Sequence, residues 1–287
     1  MHEIRLAHAT DLSGWRSAAR ALLAAGIAPG MVRWRLPGEA GDLFAALPPE
    51  LAVAPPQAVP RAFIELADSA IRHTAPDRFD LLYRLLWRQA RGERALLALR
   101  TDPDTARLVT LARQVRRDAY AMRAFVRFRE VTDDAGPLFL AWCEPEYHVV
   151  ELAAPHFVDR MGALRWSILT PLRSAHWDGR ALHYDDGCAE PPPQQADDVA
   201  ECWKTYYASI FNPARLKVGT MLSHMPKKYW HTMDETGLIA GMVREAKDRT
   251  TAMLAAAPTA PATKGRVRVE RNKADAVSEP CADPAPP

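Results

Sequence analysis

The sequence predicts an α+β fold: a mainly helical domain with a small antiparallel sheet, preceded by a small αβ N-terminal unit. Three observations carry this. A strand–helix–strand pattern opens the chain at 2–36. Apolar residues then recur at helical spacing between Pro60 and Val126. Four short runs rich in β-branched and aromatic residues follow: RFREVT, PLFLAWCE, RWSILT and ALHYD.

Taken in order, EIRLAH alternates as a strand, and Asp11 or Ser13 caps a helix running to about Ala25. Gly26 and Gly30 break that helix, and MVRWRL forms a second strand. Six prolines between 37 and 60 mark an irregular connection. Helices then start at Pro60, at Asp77 and at Asp102-Pro103-Asp104, the last running to about Val126. A short helix near Pro155–Met161 separates the second strand run from the third. Asp197 starts a long helix, Asn212-Pro213 is a corner before another, Pro226 begins a short turn, and a last helix covers about Leu238–Leu254. The segment Ala255–Pro287, with six prolines, nine alanines and no aromatic residue, cannot bury a core and is expected to be disordered. The organisation is therefore 1–60 (αβ unit and Pro-rich connection), 61–254 (main domain) and 255–287 (Pro/Ala-rich tail).

Composition sets limits on function. Of 287 residues, 48% are hydrophobic and 25% charged, as in an ordinary globular protein. The net charge is only +2, so a case for a polyanionic partner rests on where charge sits. The four Cys, at 143, 188, 202 and 281, form no CxxC pair, and neither a metal nor a cofactor is expected. No signal peptide and no membrane span is read, so a cytoplasmic location is expected.

The helix over 104–127 is the most informative element. Leu108, Leu111, Val115, Ala119, Met122 and Val126 share one stripe, which must face a core. Arg113, Arg116, Tyr120, Arg123 and Arg127 share a second, with Arg117 at its edge. Seven Arg stand against three acids over 104–130, a local balance of +4. Like charges at i,i+3 and i,i+4 disfavour a helix, so the pattern points to an anionic partner. Arginine's planar fork bonds phosphate oxygens in pairs. The alternative is a solvated face with acidic partners elsewhere. A second basic stretch covers 203–230, where Lys204, Arg215, Lys217, Lys227 and Lys228 occur without any acid. Its Tyr206, Tyr207 and Phe211 read chiefly as packing.

Two segments could carry chemistry. RWSILTPLRSAHWDGRALHYDD gathers Arg173, Ser174, His176, Trp177 and Asp178. His176 with Asp178 could act as an acid/base pair, although Asp178-Gly179 also reads as a hairpin turn between RWSILT and ALHYD. EPEYH brings Glu144 and His148 together as a second such pair. No GxGxxG, GxxxxGK[ST], GxSxG or HExxH occurs, so nucleotide-loop, serine-hydrolase and zincin readings lose their usual support. In the tail, KGRVRVERNK would add only non-specific phosphate attraction.

Five blocks in order, FDLLYRLLWR, ARQVRRDAYAMRAFVRFREV, FLAWCEPEYHVVELAAPHFVDRM, RWSILTPLRSAHWDG and TYYASIFNPARLKV with MPKKYW, resemble a bacterial domain of unknown function in proteins assigned to DNA repair. That domain is found beside a radical-SAM DNA modification or repair protein. In other members it is fused in front of UdgX-type uracil-DNA-binding relatives of uracil-DNA glycosylases. The resemblance covers about 75–255, and 1–36 resembles the usual leader of the same proteins. This chain has Ala119-Tyr120-Ala121 where the family usually carries a His and a Lys, and EPEYH in place of EPEHH. It ends at 287 with no glycosylase-like domain, no GEQPG-like loop and no UdgX-type histidine loop, so neither covalent uracil capture nor an iron–sulfur cluster is carried over.

The resulting expectation is a DNA-repair or DNA-modification accessory protein. Arg113, Arg116, Arg117, Arg123 and Arg127 would contact phosphates, and Arg215, Lys217, Lys227 and Lys228 would extend that surface. Arg173, His176 and Trp177 would line a cleft for a base or strand end. A radical-SAM or uracil-DNA glycosylase-like protein would be the partner. The alternatives are an enzyme acting on nucleic acid or a nucleotide through His176, Asp178, Glu144 and His148, and a protein-partner module without nucleic-acid contact.

Overall fold

The computed structural model describes residues 1–40, 59–191 and 216–255, together with positions 205, 208, 212 and 213. The expected helix from Asp197, the tail beyond 255, most of the Pro-rich connection, and Tyr206, Tyr207, Phe211 and Arg215 lie outside the described residues.

The N-terminal unit forms as its pattern requires. Strands β1 (His2–Arg5) and β2 (Val32–Arg35) pair in parallel, with Ile4 opposite Trp34. Helix α1 (Leu12–Ala24) makes the crossover that parallel strands need. Asp11 caps it by accepting from the Gly14 N–H at 2.7 Å. A Cβ at position 14 would meet that carboxylate, so a larger residue there would make the Asp11 cap shift.

Helices α2 (Arg61–Ala70), α3 (Arg78–Ala90) and α4 (Pro103–Phe125) follow. Helix α4 starts as its sequence dictates, with Pro103 in the first turn and the Asp102 side chain accepting from Thr105 N at 2.9 Å. Arg88 of α3 holds the same Asp102 at 2.7 Å, and Arg84 holds Asp104 at 2.8 Å, so the start of α4 is tied to α3.

The five-stranded sheet runs β3 (Phe128–Asp133), β4 (Gly136–Trp142), β5 (Trp166–Leu169), β6 (Arg173–Trp177), β7 (Leu182–Asp186), in that spatial order. The fold is α+β as expected, but the sheet is mixed. Strands β4 and β5 are parallel because α5 (Val150–Met161) crosses between them, while the other pairs are antiparallel. Two readings are corrected here. The short helix begins at Val150, one and a half turns before Pro155, so this proline sits inside the helix and does not open it. The hairpin turn at Asp178-Gly179 joins β6 to β7 rather than β5 to β7. Strand β6 was hidden because Thr170-Pro171 turns the chain only three residues before it. The Thr170 hydroxyl accepts from Leu172 N and Arg173 N and donates to the Arg173 carbonyl. Beyond the sheet lie α6 (Val218–His224), two 3-10 segments (Lys227–Thr232 and Asp234–Leu238) and α7 (Ile239–Ala255).

Two hydrophobic cores result, and α4 serves both. The first joins Ile4, Trp15 and Trp34 of the N-terminal unit to Phe63, Leu82, Leu85 and, on α4, Leu108 and Leu111. The second joins Val115, Ala119 and Met122 of α4 to Phe157, Trp166, Ile168 and Tyr229. Among the described residues, no helix is long and apolar enough to cross a membrane.

Candidate functional site

The two stripes read on α4 separate as periodicity requires. Leu108, Leu111, Val115, Ala119 and Met122 are buried, and Arg113, Arg116, Arg117, Tyr120 and Arg123 face solvent. Tyr120 is 66% exposed, the most prominent ring on this face. One flank of the strip is α2, where Arg116 donates from Nε to Ser69 Oγ at 3.0 Å and from Nη2 to the Glu65 carbonyl at 3.1 Å. Arg123 donates from Nε to the Ala119 carbonyl at 3.3 Å. Arg127 lies past the helix end, half-buried, in the connection to β3.

The other flank is the 3-10 segment Lys227–Thr232. Its Tyr229 is buried against Phe125 at 5.8 Å, which seats the segment beside the end of α4. Lys228 turns inward, with Nζ 2.5 Å from Asp118 Oδ1 and 3.5 Å from Glu146 Oε1. Asp118 is itself buried, and its Oδ2 accepts from Glu146 N and Tyr147 N. Lys228 is thus engaged in holding the basic segment to the helix, while Lys227 and Lys217 stay exposed. Arg113, Arg117 and Tyr120 therefore run in one strip between α2 and the lysine segment.

The residues expected at a second cleft are divided by the sheet. Alternation along β6 sends Arg173 and Trp177 to one face and His176 to the other. Trp177 donates from Nε1 to the Gly162 carbonyl at 3.0 Å and packs against the second core, so its ring is not available for stacking. His176 sits between Ser167 Oγ, 2.9 Å from Nδ1, and Asp185 Oδ2, 3.5 Å from Nε2. This row resembles a nucleophile–base–acid chain, but Ser167 is buried and unreachable by a substrate. Asp178 accepts from Arg180 N and Ala181 N, both at 2.7 Å, and these bonds hold its carboxyl below the usual carboxylate range. It is a turn residue. Glu144 accepts from the Trp142 indole at 3.1 Å. Neither proposed acid/base pair is therefore in contact. The carboxylate near His176 is Asp185, and the one acting on His148 is Glu151.

His148 and Arg173 do meet, in a cavity of about 360 Å³ between the loop after β1, the start of α5 and the β6–β7 end of the sheet. Glu151 in the first turn of α5 is gripped from both sides, by Arg72 Nη1 at 2.6 Å and Arg173 Nη1 at 2.9 Å. The Arg173 guanidinium also lies over the Tyr184 ring, 5.3 Å from its centre. Burial, and then Arg78, push the His148 imidazole below its ordinary value, so it is neutral at pH 7. Arg72, Arg78, Glu151 and Tyr184 were not singled out from sequence. They sit in ordinary helix and strand patterns, and only folding brings 72–78, 148–151 and 173–186 together. Cys143 is buried, which raises its thiol to about 12 and removes it as a nucleophile. Among the described residues, no group of three or more His, Cys, Asp or Glu is arranged to hold a metal ion.

An α+β chain with a basic helix strip and a separate mixed-charge cavity defines a class by architecture alone. Residues 76–235, more than half of the chain, match the model of a domain of unknown function, DUF4130, and the chain belongs to that family. No curated protein matches the chain. No solved structure matches it either.

Proposed function

We propose that this protein binds nucleic acid through the exposed arginine strip of α4, with Lys217 and Lys227 extending the surface, and serves as an accessory to DNA repair or modification. The observation that carries the reading is the strip itself: Arg113, Arg117 and Arg123 exposed on one helix face around the exposed Tyr120. Phosphates favour such a surface because guanidinium groups neutralise them and release their counterions. Tyr120 adds a ring on which an unstacked base can rest. The partner on this reading is a radical-SAM or uracil-DNA glycosylase-like protein, which co-purification would detect.

Fluorescence anisotropy with short single- and double-stranded DNA at low salt tests the proposal. Binding is expected, weakening steeply as salt rises. The triple variant Arg113→Glu/Arg117→Glu/Arg123→Glu should weaken it by more than about tenfold and flatten the salt dependence by roughly one unit of slope per lost contact. Absence of binding at low salt, or a variant indistinguishable from the parent, overturns the proposal. A second reading, an enzyme acting on nucleic acid, is favoured by the neutral His148 in a cavity beside Arg173, a suitable setting for a general base.

A further inference from the structure

The cavity holding His148 has a cationic floor and an acidic rim. On the floor, Glu151 gives one oxygen to Arg173, which lines the cavity, and the other to Arg72 behind it. Arg78 lies behind them with its guanidinium buried. It donates to the carbonyls of Ile71, Ala75 and Ala9, and Ala9 itself lines the cavity. No carboxylate among the described residues pairs with Arg78. Asp68 also pairs with Arg72 at 3.3 Å, so three guanidinium charges against two carboxylates leave the floor with one surplus positive charge. The Nε atoms of Arg72 and Arg173 are buried and meet no acceptor among the described residues. Helix α5 opens onto the same wall without a side-chain cap, adding the positive end of its dipole.

The rim has the opposite character. Asp186 is the cross-strand neighbour of Arg173 and shares its face of the sheet. Asp185 stands next to it, and His8 and the Thr10 hydroxyl complete the opening. A free phosphate matches the floor and is repelled by the rim. A nucleoside has hydroxyls and exocyclic amines for the rim but nothing for the floor. A molecule that satisfies both carries a phosphate monoester at one end and hydrogen-bond donors at the other.

We infer that this cavity binds a nucleoside monophosphate group, with the phosphate against Arg173, His148 and the start of α5, and the sugar and base toward Thr10 and Asp186. The volume, about 360 Å³, is at the small end for ligand cavities and suits a single nucleotide. The shared chemistry has two sources, a free mononucleotide and the phosphorylated end of a strand. Choosing a nucleotide over another phosphate ester rests on the nucleic-acid reading above.

Calorimetric titration of the full chain with deoxyadenosine 5′-monophosphate, deoxyadenosine and inorganic phosphate tests the site. The monophosphate should bind more than about tenfold tighter than either part. Arg173→Gln should remove most of that binding. Asp186→Asn, an exposed change that leaves the Arg–Glu cluster intact, should reduce the preference for the nucleotide over inorganic phosphate. Arg113→Glu/Arg117→Glu should leave all three titrations unchanged, so failure of the α4 strip and failure of this cavity read out separately. A short oligonucleotide with and without a 5′-phosphate then distinguishes the sources: preference for the phosphorylated end assigns a strand terminus, and equal binding of the two assigns the free nucleotide. Equal affinity for monophosphate and inorganic phosphate, or no binding of the monophosphate, overturns the inference.

Discussion

Asp118 shows how a single residue can bind two distant parts of the chain together. Its carboxylate is buried on α4, yet it receives two backbone N–H groups from the EPEYH loop and the ammonium of Lys228, more than a hundred positions away. Removing it leaves two N–H groups unpaired and a half-buried ammonium without its closest partner. Asp118→Ala should therefore cost about 2–3 kcal/mol in urea denaturation, because hydrogen bonds to a charged group each matter more than neutral ones. Lys228→Met should cost under about 1 kcal/mol, since Asp118 keeps both N–H donors and the lysine is partly solvated. Equal costs for the two would contradict this ordering. His148 makes a second residue-scale prediction. Its folded value lies below the ordinary 6.5, as does that of His73, chiefly through burial in each case. Below 6.5 the unfolded chain takes up protons that the fold resists. Stability is then full above that pH and is lost as pH falls through 6.5 toward the depressed folded values. Arg72, Arg78 and Arg173 oppose protonation of His148, and Glu151 favours it. Denaturation midpoints of His148→Gln should drop less steeply than the parent's between about pH 7 and pH 5.5. A parallel drop would remove His148 from the account.

Elements with a strong period were legible before folding. Helix α4 carries both stripes in its sequence, and its Asp102-Pro103 start is a local signal that needs no tertiary context. The αβ opening and the Asp178-Gly179 turn were readable for the same reason. Strand β6 was not, because RSAHW carries a charge, a hydroxyl and an imidazole, and its burial comes from neighbours on both sides in the sheet. The candidate site divides along the same line. The α4 strip is a property of one helix and could be read from it. The cavity is a property of three segments, and its floor depends on Arg72 following α2, Glu151 opening α5 and Arg173 entering β6. His176, chosen by proximity in sequence to Arg173 and Trp177, was separated from both by the period of two along the strand.

At the scale of the whole molecule, the family match and the core do not share a boundary. The match starts at residue 76, inside the approach to α3. The first core begins at Ile4 and takes Trp15, Trp34 and Phe63 from upstream of that point, each of them buried. Trp34 contacts Trp15, Phe79 and Tyr83, and the Tyr83 hydroxyl donates to the Ile27 carbonyl at 2.7 Å. Without residues 1–75, the faces of α3 and α4 that carry Leu81, Leu82, Leu85 and Leu108 would meet water. That exposure costs roughly 1.5–3 kcal/mol per large apolar side chain, which exceeds the margin of a domain this size when several are involved. A fragment of residues 76–235 should therefore bind a hydrophobic dye and melt over a broad range, whereas residues 1–255 should unfold in one cooperative transition. Because α4 contributes to both cores, Trp15→Ala in the full chain should lower the midpoint reported by probes near Trp166 as well as near Trp34. Independent transitions at the two ends, or a fragment of 76–235 that unfolds sharply, would mean that the second core stands without the first.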